Sequence, residues 1–336
     1  MITSSALQSF IEKHPASAEL VTALAPLIAV REKLSMHLPR LTLPALENTP
    51  PMQGVPYFSF VPKLGFPMFV DDILREEAPA ALAEAMYTAM PDKKAEIRAV
   101  LALLQGDKKI ADRIVACGFC HNRRGWESVA AKHKLNKDIT GLFAVHMACC
   151  AAKRAAISLE ETLGQFASAN TGDTGGIGDA EGTDCDTAQT DAPLVCLRRE
   201  GSSADSPETP AKTPGETGVW NKNCCPVCGQ KPCASILSGK EGKRLLHCSL
   251  CSFEWQFIRT QCPFCLHDSI ENLPIFYDEE TPYERADACT HCNHYILCID
   301  MRQLTKDIPV ETRLLGMLPL ELAMQKNGFF PAGDAQ

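Results

Sequence analysis

Apolar residues recur at three- and four-residue spacing from Leu20 to about Gly164, which predicts a mainly α-helical first half. Val21, Leu24, Leu27, Ile28 and Val30 form one stripe. Seven prolines between Pro39 and Pro67 then predict an extended, irregular crossing, because each proline disfavours helix in the residue before it. Pro79 suits the first turn of a further helix bearing Leu82, Ala85, Met86 and Ala89, which Pro91 ends. Asp92 stands where an N-cap is expected, ahead of Ala95, Ile97, Val100, Leu101 and Leu104. A last helix over about 139–163 carries Leu142, Phe143, Val145, His146, Cys149 and Cys150.

The pattern then changes twice. Residues 167–219 are rich in Gly, Ser, Thr, Asp and Pro and read as a flexible linker or insertion, interrupted only by a short apolar run over 194–197 that is a weak docking element. Beyond Trp220 short strands are expected over 244–247, 253–258, 275–277 and 295–297, and the chain closes with a helix over roughly 310–326. The expected fold is an α+β multidomain chain with an α-helical domain over 1–166 and the linker over 167–219. Two small rubredoxin-like or zinc-ribbon modules follow over 220–260 and 261–308, with a C-terminal helix and tail over 309–336.

A length of 336 residues favours more than one core, and a hydrophobic fraction of 45% is that of an ordinary globular protein. The net charge of -8 offers no long-range attraction to nucleic acid or anionic lipid, so protein or small-molecule partners are favoured. Apolar stretches such as 20–30 are short and interrupted, so membrane insertion is not expected. The opening residues lack the basic start and apolar run of a secretory signal, which points to the cytoplasm. In that reducing compartment the 17 cysteines are expected as thiols or metal ligands, not disulfides.

Eight of them form four C-x2-C pairs: Cys225/Cys228, Cys248/Cys251, Cys262/Cys265 and Cys289/Cys292. Each pair places two sulfurs on one side of a tight knuckle, and two knuckles complete a tetrahedron. The gap between pairs one and two is about 19 residues and that between three and four about 23, so sequential pairing is expected over a cross-braced arrangement. Four thiolates suit iron and zinc alike. Gly229 favours the open backbone after a knuckle, while Leu266 at the matching place is less favourable. His247, His291 and His294 read as neighbours of the ligands, not replacements.

Cys117-Gly-Phe-Cys120-His121 matches a c-type haem attachment motif, but a buried helical pair or a labile thiol site beside Arg123 and Arg124 fits a non-exported chain better. Cys149 and Cys150 read as core residues, and Glu279-Glu280 as solvated charge in a turn. Dinucleotide, Walker, nucleophile-elbow and zincin motifs do not occur, so no catalytic constellation competes with the cysteines.

The ordered set Cys225-Pro-Val-Cys-Gly229, Leu245-Leu-His-Cys-Ser-Leu-Cys251, Glu254-Trp255, Arg259, Cys262, Ala286-Asp-Ala-Cys289, Cys292 and Tyr295 closely resembles the formate dehydrogenase accessory protein FdhE family. The resemblance implies a cytoplasmic maturation factor that binds the catalytic subunit of formate dehydrogenase. It also implies two rubredoxin-like sites for iron or zinc, with the eight paired cysteines as ligands. The 167–219 segment, Cys117, Cys120 and Cys298 depart from that pattern. The alternative reading is an iron-thiolate redox carrier or a thiol-dependent redox enzyme.

Overall fold

Small and apolar side chains along one long helix organise the first half. In the computed structural model, which describes residues 4–41, 70–163, 195–197, 220, 222–305 and 307–331, this helix is α7 (Lys137–Leu163). It buries Phe143, Ala144, Met147, Ala148, Ala151, Ala152, Ala155, Ala156 and Leu159. Around it pack α2 (Ala18–His37), α3 (Asp72–Ala89), α4 (Lys94–Gly106), α5 (Lys108–Phe119) and α6 (Arg123–His133). Helix α5 comes so close that a Cβ on Gly118 would lie 2.0 Å from the Ala144 carbonyl oxygen. Contrary to the expectation that the apolar stretches are too short and interrupted, α7 is long and apolar enough by composition to cross a membrane. The other helices cover it: 78% of the apolar window is buried.

Local helix starts differ from expectation for tertiary reasons. Pro79 lies inside α3, which starts earlier because Asp71 caps it by accepting from the Leu74 N–H at 2.9 Å. The Asp71 carboxylate also receives both Arg154 terminal nitrogens at 2.9 Å, and Arg154 is itself buried in α7. Asp92 belongs to a short 3-10 turn, Pro91–Lys93, and Lys93 precedes α4 without capping it through its side chain. Most of the proline-rich crossing, residues 42–69, lies outside the described residues, as does most of the 167–219 segment.

The second half is built on one sheet. Its strands are β1 (Val195–Leu197), β2 (Pro232–Ser238), β3 (Lys243–Cys248), β4 (Glu254–Gln256), β5 (Ile275–Tyr277), β6 (Glu284–Cys289) and β7 (His294–Asp300), in the order β1-β5-β6-β7-β2-β3-β4. Neighbours are antiparallel except β2 and β7, which run parallel with Ala234 opposite Leu297 and Leu237 opposite Asp300. That pairing joins the two cysteine-bearing hairpins, β2–β3 and β6–β7, edge to edge. The apolar run at 194–197 contributes β1, which pairs with β5. Strands β2 and β6 lie where the sequence showed no strand pattern, since β6 alternates Arg285 and Asp287 with alanines instead of large apolar groups.

The C-terminal helical run is two helices, α8 (Val310–Gly316) and α9 (Leu318–Lys326), with Pro319 in the first turn of the second. Proline lacks the N–H that would continue α8. Gly316 lets α1 (Ser4–Lys13) approach, because a Cβ there would lie 2.6 Å from the Phe10 ring. Helix α9 covers one face of the sheet through Met317, Leu320 and Met324 against Ala286, Ala288, Tyr295, Leu297 and Ile299.

The first turn after α1 is pinned to the sheet by a buried pair, His14 Nε2 to Glu284 Oε2 at 2.6 Å. Burial opposes charge on His14, but the hydrogen bond and negative charge of Glu284 outweigh it and raise the imidazole above 6.5. A group with a raised native pKa stabilises the fold fully below its unfolded value and loses that contribution as pH rises through the native one. Stability measured by urea titration is therefore expected to fall as pH rises from about 6.5 through the raised value. Glu284→Gln should flatten that segment of the pH profile; an unchanged profile in the variant would remove the pair as its cause.

Candidate metal centres

Each C-x2-C pair needs a backbone that reverses immediately after its second cysteine. All four do so with a residue in the left-handed region: Gly229 (φ 76), Ser252 (φ 56), Leu266 (φ 62) and Asn293 (φ 56). Leucine costs roughly 1–2 kcal/mol in this conformation relative to ordinary helix, so the closing contacts at Leu266 must outweigh an unfavourable backbone. Those contacts are the Leu266 N–H to the Cys262 carbonyl at 3.0 Å and the Cys262 N–H to the His267 carbonyl at 2.8 Å. The first knuckle has the same pair, Gly229 N–H to Cys225 O at 2.9 Å and Cys225 N–H to Gln230 O at 2.8 Å. Backbone N–H groups also point at sulfur, from Leu250 to Cys248 and from Phe264 to Cys262, each at 3.4 Å.

The sulfurs gather sequentially: Cys225, Cys228, Cys248 and Cys251 form one set and Cys262, Cys265, Cys289 and Cys292 the other, all atoms of a set lying within 4.8 Å of one another. Sulfur separations are 3.4–3.6 Å in the first set and 3.7 Å for the two close pairs in the second. A tetrahedron with metal–sulfur bonds of about 2.3 Å has sulfur–sulfur edges of about 3.8 Å, so either set could hold a tetrahedral ion with small adjustments.

Protonation in the two sets follows one logic. Burial opposes ionisation of Cys248, but hydrogen bonds from Cys225, Cys228 and Cys251 hold it well below an ordinary thiol, while burial pushes Cys225 and Cys251 well above. In the second set burial would raise Cys265, yet hydrogen bonds to the His267 backbone and the His291 side chain bring it to about 7. Burial takes Cys292 up to about 11. Each set therefore contains thiols that burial keeps protonated, so metal uptake would displace protons and weaken in acid.

The two sets differ in setting. The first lies in the same core as the helical half: Cys225, Val227, Leu246, Cys248, Leu250, Cys251, Phe253 and Trp255 pack in one cluster with Phe143, Met147 and other α7 residues. Trp255 is buried there, and its indole N–H donates to the Lys222 carbonyl at 2.9 Å. The second lies further out, with Cys265 and Cys292 half-buried, Leu266 exposed, and His267 and His291 stacked at 4.4 Å.

Beside the first set the buried Arg31 and His247 form an ionic group with Glu311 that no sequence pattern signals. Glu311 Oε1 on α8 accepts from Arg31 Nη2 on α2 at 2.8 Å, from Ser252 Oγ at 2.6 Å and from His247 Nε2 at 3.3 Å. His247 Nδ1 also faces Glu254 Oε1 at 3.3 Å. Burial works against charge on His247, but the two carboxylates raise it to about 9. His247 thus stands beside Cys248 as a cation bridging two acids. No local signal could reveal this, since Arg31 and Glu311 are 280 positions apart.

The remaining cysteines fall outside both sets. Cys149 and Cys150 are buried in α7, as expected; Cys233 lies in β2 and Cys298 is buried in β7; Cys224 is half-buried before the first knuckle. Cys117 is buried and Cys120 exposed at the end of α5, and Cys117 is packed against Gly125, which disfavours the thioether bond of a haem. Glu279 and Glu280 sit in an exposed turn, as expected. Cys185 lies outside the described residues.

A helical half sharing its core with one four-thiol unit, and a sheet carrying a second, define a thiol-rich α+β protein with two potential metal centres. Residues 224–259 match the family model described as FdhE, central domain. A protein FdhE homolog of Aquifex aeolicus is 36% identical over 113 residues, which are 33% of this chain and 40% of that relative. One of Haemophilus influenzae (strain PittEE) is 36% identical over 116 residues, 34% of this chain and 37% of the relative. The matched stretch thus spans about two-fifths of these curated relatives' length. The crystal structure of the FdhE protein from Pseudomonas aeruginosa has the same fold, with a TM-score of 0.50 and 18% identity over 96% of this chain and 90% of that one. Residues 224–259 are therefore similar to the FdhE central domain, in keeping with the resemblance carried by the cysteine motifs.

Removing Glu311 leaves the buried Arg31 and His247 without the carboxylate they share, Glu254 remaining on His247 and Glu32 near Arg31. Loss of one partner from a buried ionic group costs about 3–5 kcal/mol. Glu311→Ala is expected to lose stability at the low end of that range in chemical denaturation, and Glu311→Gln, which keeps the Ser252 hydrogen bond, to lose less. Equal midpoints for wild type and both variants would contradict this role.

Proposed function

We propose that this protein is a cytoplasmic, FdhE-type accessory factor that binds the catalytic subunit of a formate dehydrogenase and assists its maturation, acting by binding and not by turnover. The observation that carries the reading is that residues 224–259, which match the FdhE central-domain model, pack into the same apolar core as the helical half. The reading assigns Cys225, Cys228, Cys248 and Cys251 to one metal ion and Cys262, Cys265, Cys289 and Cys292 to a second, iron or zinc in each case. An ion in the first set would join the knuckle before β2 to the one after β3, within the apolar core shared with the helices; one in the second would join the Cys262/Cys265 knuckle to the β6–β7 turn.

The iron-thiolate redox reading has one observation in its favour. Cys265 and Cys292 are half-buried, so an ion there would lie closer to solvent and to an electron-transfer partner than one in the first set. Spectra of protein purified without added metal separate the two: reversible bleaching of thiolate-to-iron bands supports a carrier, whereas a colourless zinc protein supports a scaffold.

Because thiolate ligands contribute folding energy through their ion, Cys225→Ser and Cys262→Ser are each expected to lower bound metal by one ion per chain, from their own set. Loss of both ions from either variant would argue against two independent sites. For the partner, affinity capture from anaerobically grown cells should recover a formate dehydrogenase catalytic subunit, and deletion should abolish formate oxidation while subunit synthesis continues. Unchanged formate oxidation in the deletion strain, with no subunit captured, would refute the accessory role.

A further inference from the structure

The corner between α5 and α6 carries two thiols that neither metal set uses. Helix α5 ends in a Schellman motif: the Asn122 N–H donates to the Cys117 carbonyl at 2.8 Å, the His121 N–H to the Gly118 carbonyl at 3.1 Å, and His121 takes φ 47. Cys117 and Cys120 are therefore three residues apart in the last helical turn. Helical geometry places such Cα atoms about 5 Å apart, inside the range that a disulfide spans.

The environments of the two thiols differ. Cys120 is the C-cap residue and is exposed. Cys117 is buried beneath it, with its sulfur so close to Gly125 in the first turn of α6 that a Cβ there would lie 2.5 Å away. Burial pushes the Cys117 thiol up, which leaves the exposed Cys120 as the group that meets a reactant first. The backbone between them is held on both sides. Gly118 is pressed onto α7, and the Phe119 carbonyl accepts from Gln230, two residues beyond Cys228, at 3.5 Å.

We propose that Cys117 and Cys120 form a redox-active dithiol whose co-reactant is a low-molecular-weight or protein disulfide. The Cys120 thiolate attacks one sulfur of that disulfide; the sulfur–sulfur bond breaks, one half leaves as a thiol after taking a proton, and the other remains bonded to Cys120. Cys117 then gives up its proton to solvent, attacks the Cys120 sulfur and expels the second half as a thiol. One external disulfide gains two electrons and becomes two thiols, and the two cysteines lose two electrons and become one intramolecular disulfide. Rotation of the exposed Cys120 side chain brings its sulfur to Cys117, while the backbone already has the required spacing. The dithiol abuts the first cysteine knuckle but is chemically separate from it.

Both cysteines lie on a single tryptic peptide, residues 114–123, which contains no other cysteine. The test is to equilibrate the full-length protein with graded ratios of glutathione disulfide to glutathione, quench in acid, alkylate and map that peptide by mass spectrometry. The expected result is a concerted shift from two alkylated thiols to one intramolecular disulfide, with no accumulating half-oxidised form. In Cys117→Ser, Cys120 should accumulate as the glutathione mixed disulfide; in Cys120→Ser, Cys117 should stay reduced over the same range. The wild-type arm does not depend on how the variants fold. Two thiols that stay alkylated at every ratio, or a wild-type mixed disulfide on Cys120 that persists without resolving, would overturn the proposal.

Discussion

Four sulfurs held within 4.8 Å of one another form the constraint on which the second half depends. Thiols at that range either share protons or meet a cation, because four bare thiolates would repel strongly in a buried site. The uneven protonation of the sets, with Cys248 and Cys265 pushed down and Cys225, Cys251 and Cys292 pushed up, is the proton-sharing form of this rule. The knuckles themselves rest on backbone that leaves ordinary conformations: a glycine takes the left-handed place once, and serine, leucine and asparagine take it three times. That strain is sustained by hydrogen bonds closing each turn and by the strands that enter and leave it.

The two sets have unequal roles in the architecture. The first belongs to the helical core: Trp255, Leu246 and the buried cysteines lie with α7 in one apolar cluster, and Glu311 ties α2, α8 and the second knuckle of that set together. Disturbance there propagates into the helices. The second is linked to the first through the parallel β2–β7 pairing and through side-chain contacts such as Asn223 to the Phe264 carbonyl, and two of its sulfurs are half-buried. Stability is thus concentrated at one set and accessibility at the other.

Charge follows the same division. Arg31 and His247 are buried and meet the half-buried Glu311 next to the first set, where desolvation makes an unmatched charge expensive. Arg154 and Asp71 do the same for the start of α3. Such groups fix geometry more than they add stability, since the pairing largely offsets their removal from water.

Much of this chain was legible from its order of residues. The periodicity of 20–164 marked the helices, and the spacing of the four C-x2-C pairs marked two sequential four-sulfur sets, because both signals are local and depend on residues a few positions apart. The family likeness rested on the same local motifs. What only tertiary structure decided was long-range. β2 and β6 owe their strand state to neighbours and not to their own alternation, and the Asp71 carboxylate that caps α3 is held by Arg154 reaching it from α7. The first set is buried against helices up to two hundred positions earlier, and the acid that gathers Arg31, His247 and Ser252 comes from the far end of the chain. Desolvation and pairing energies depend on what packs against a group, and no pattern along the chain carries that information.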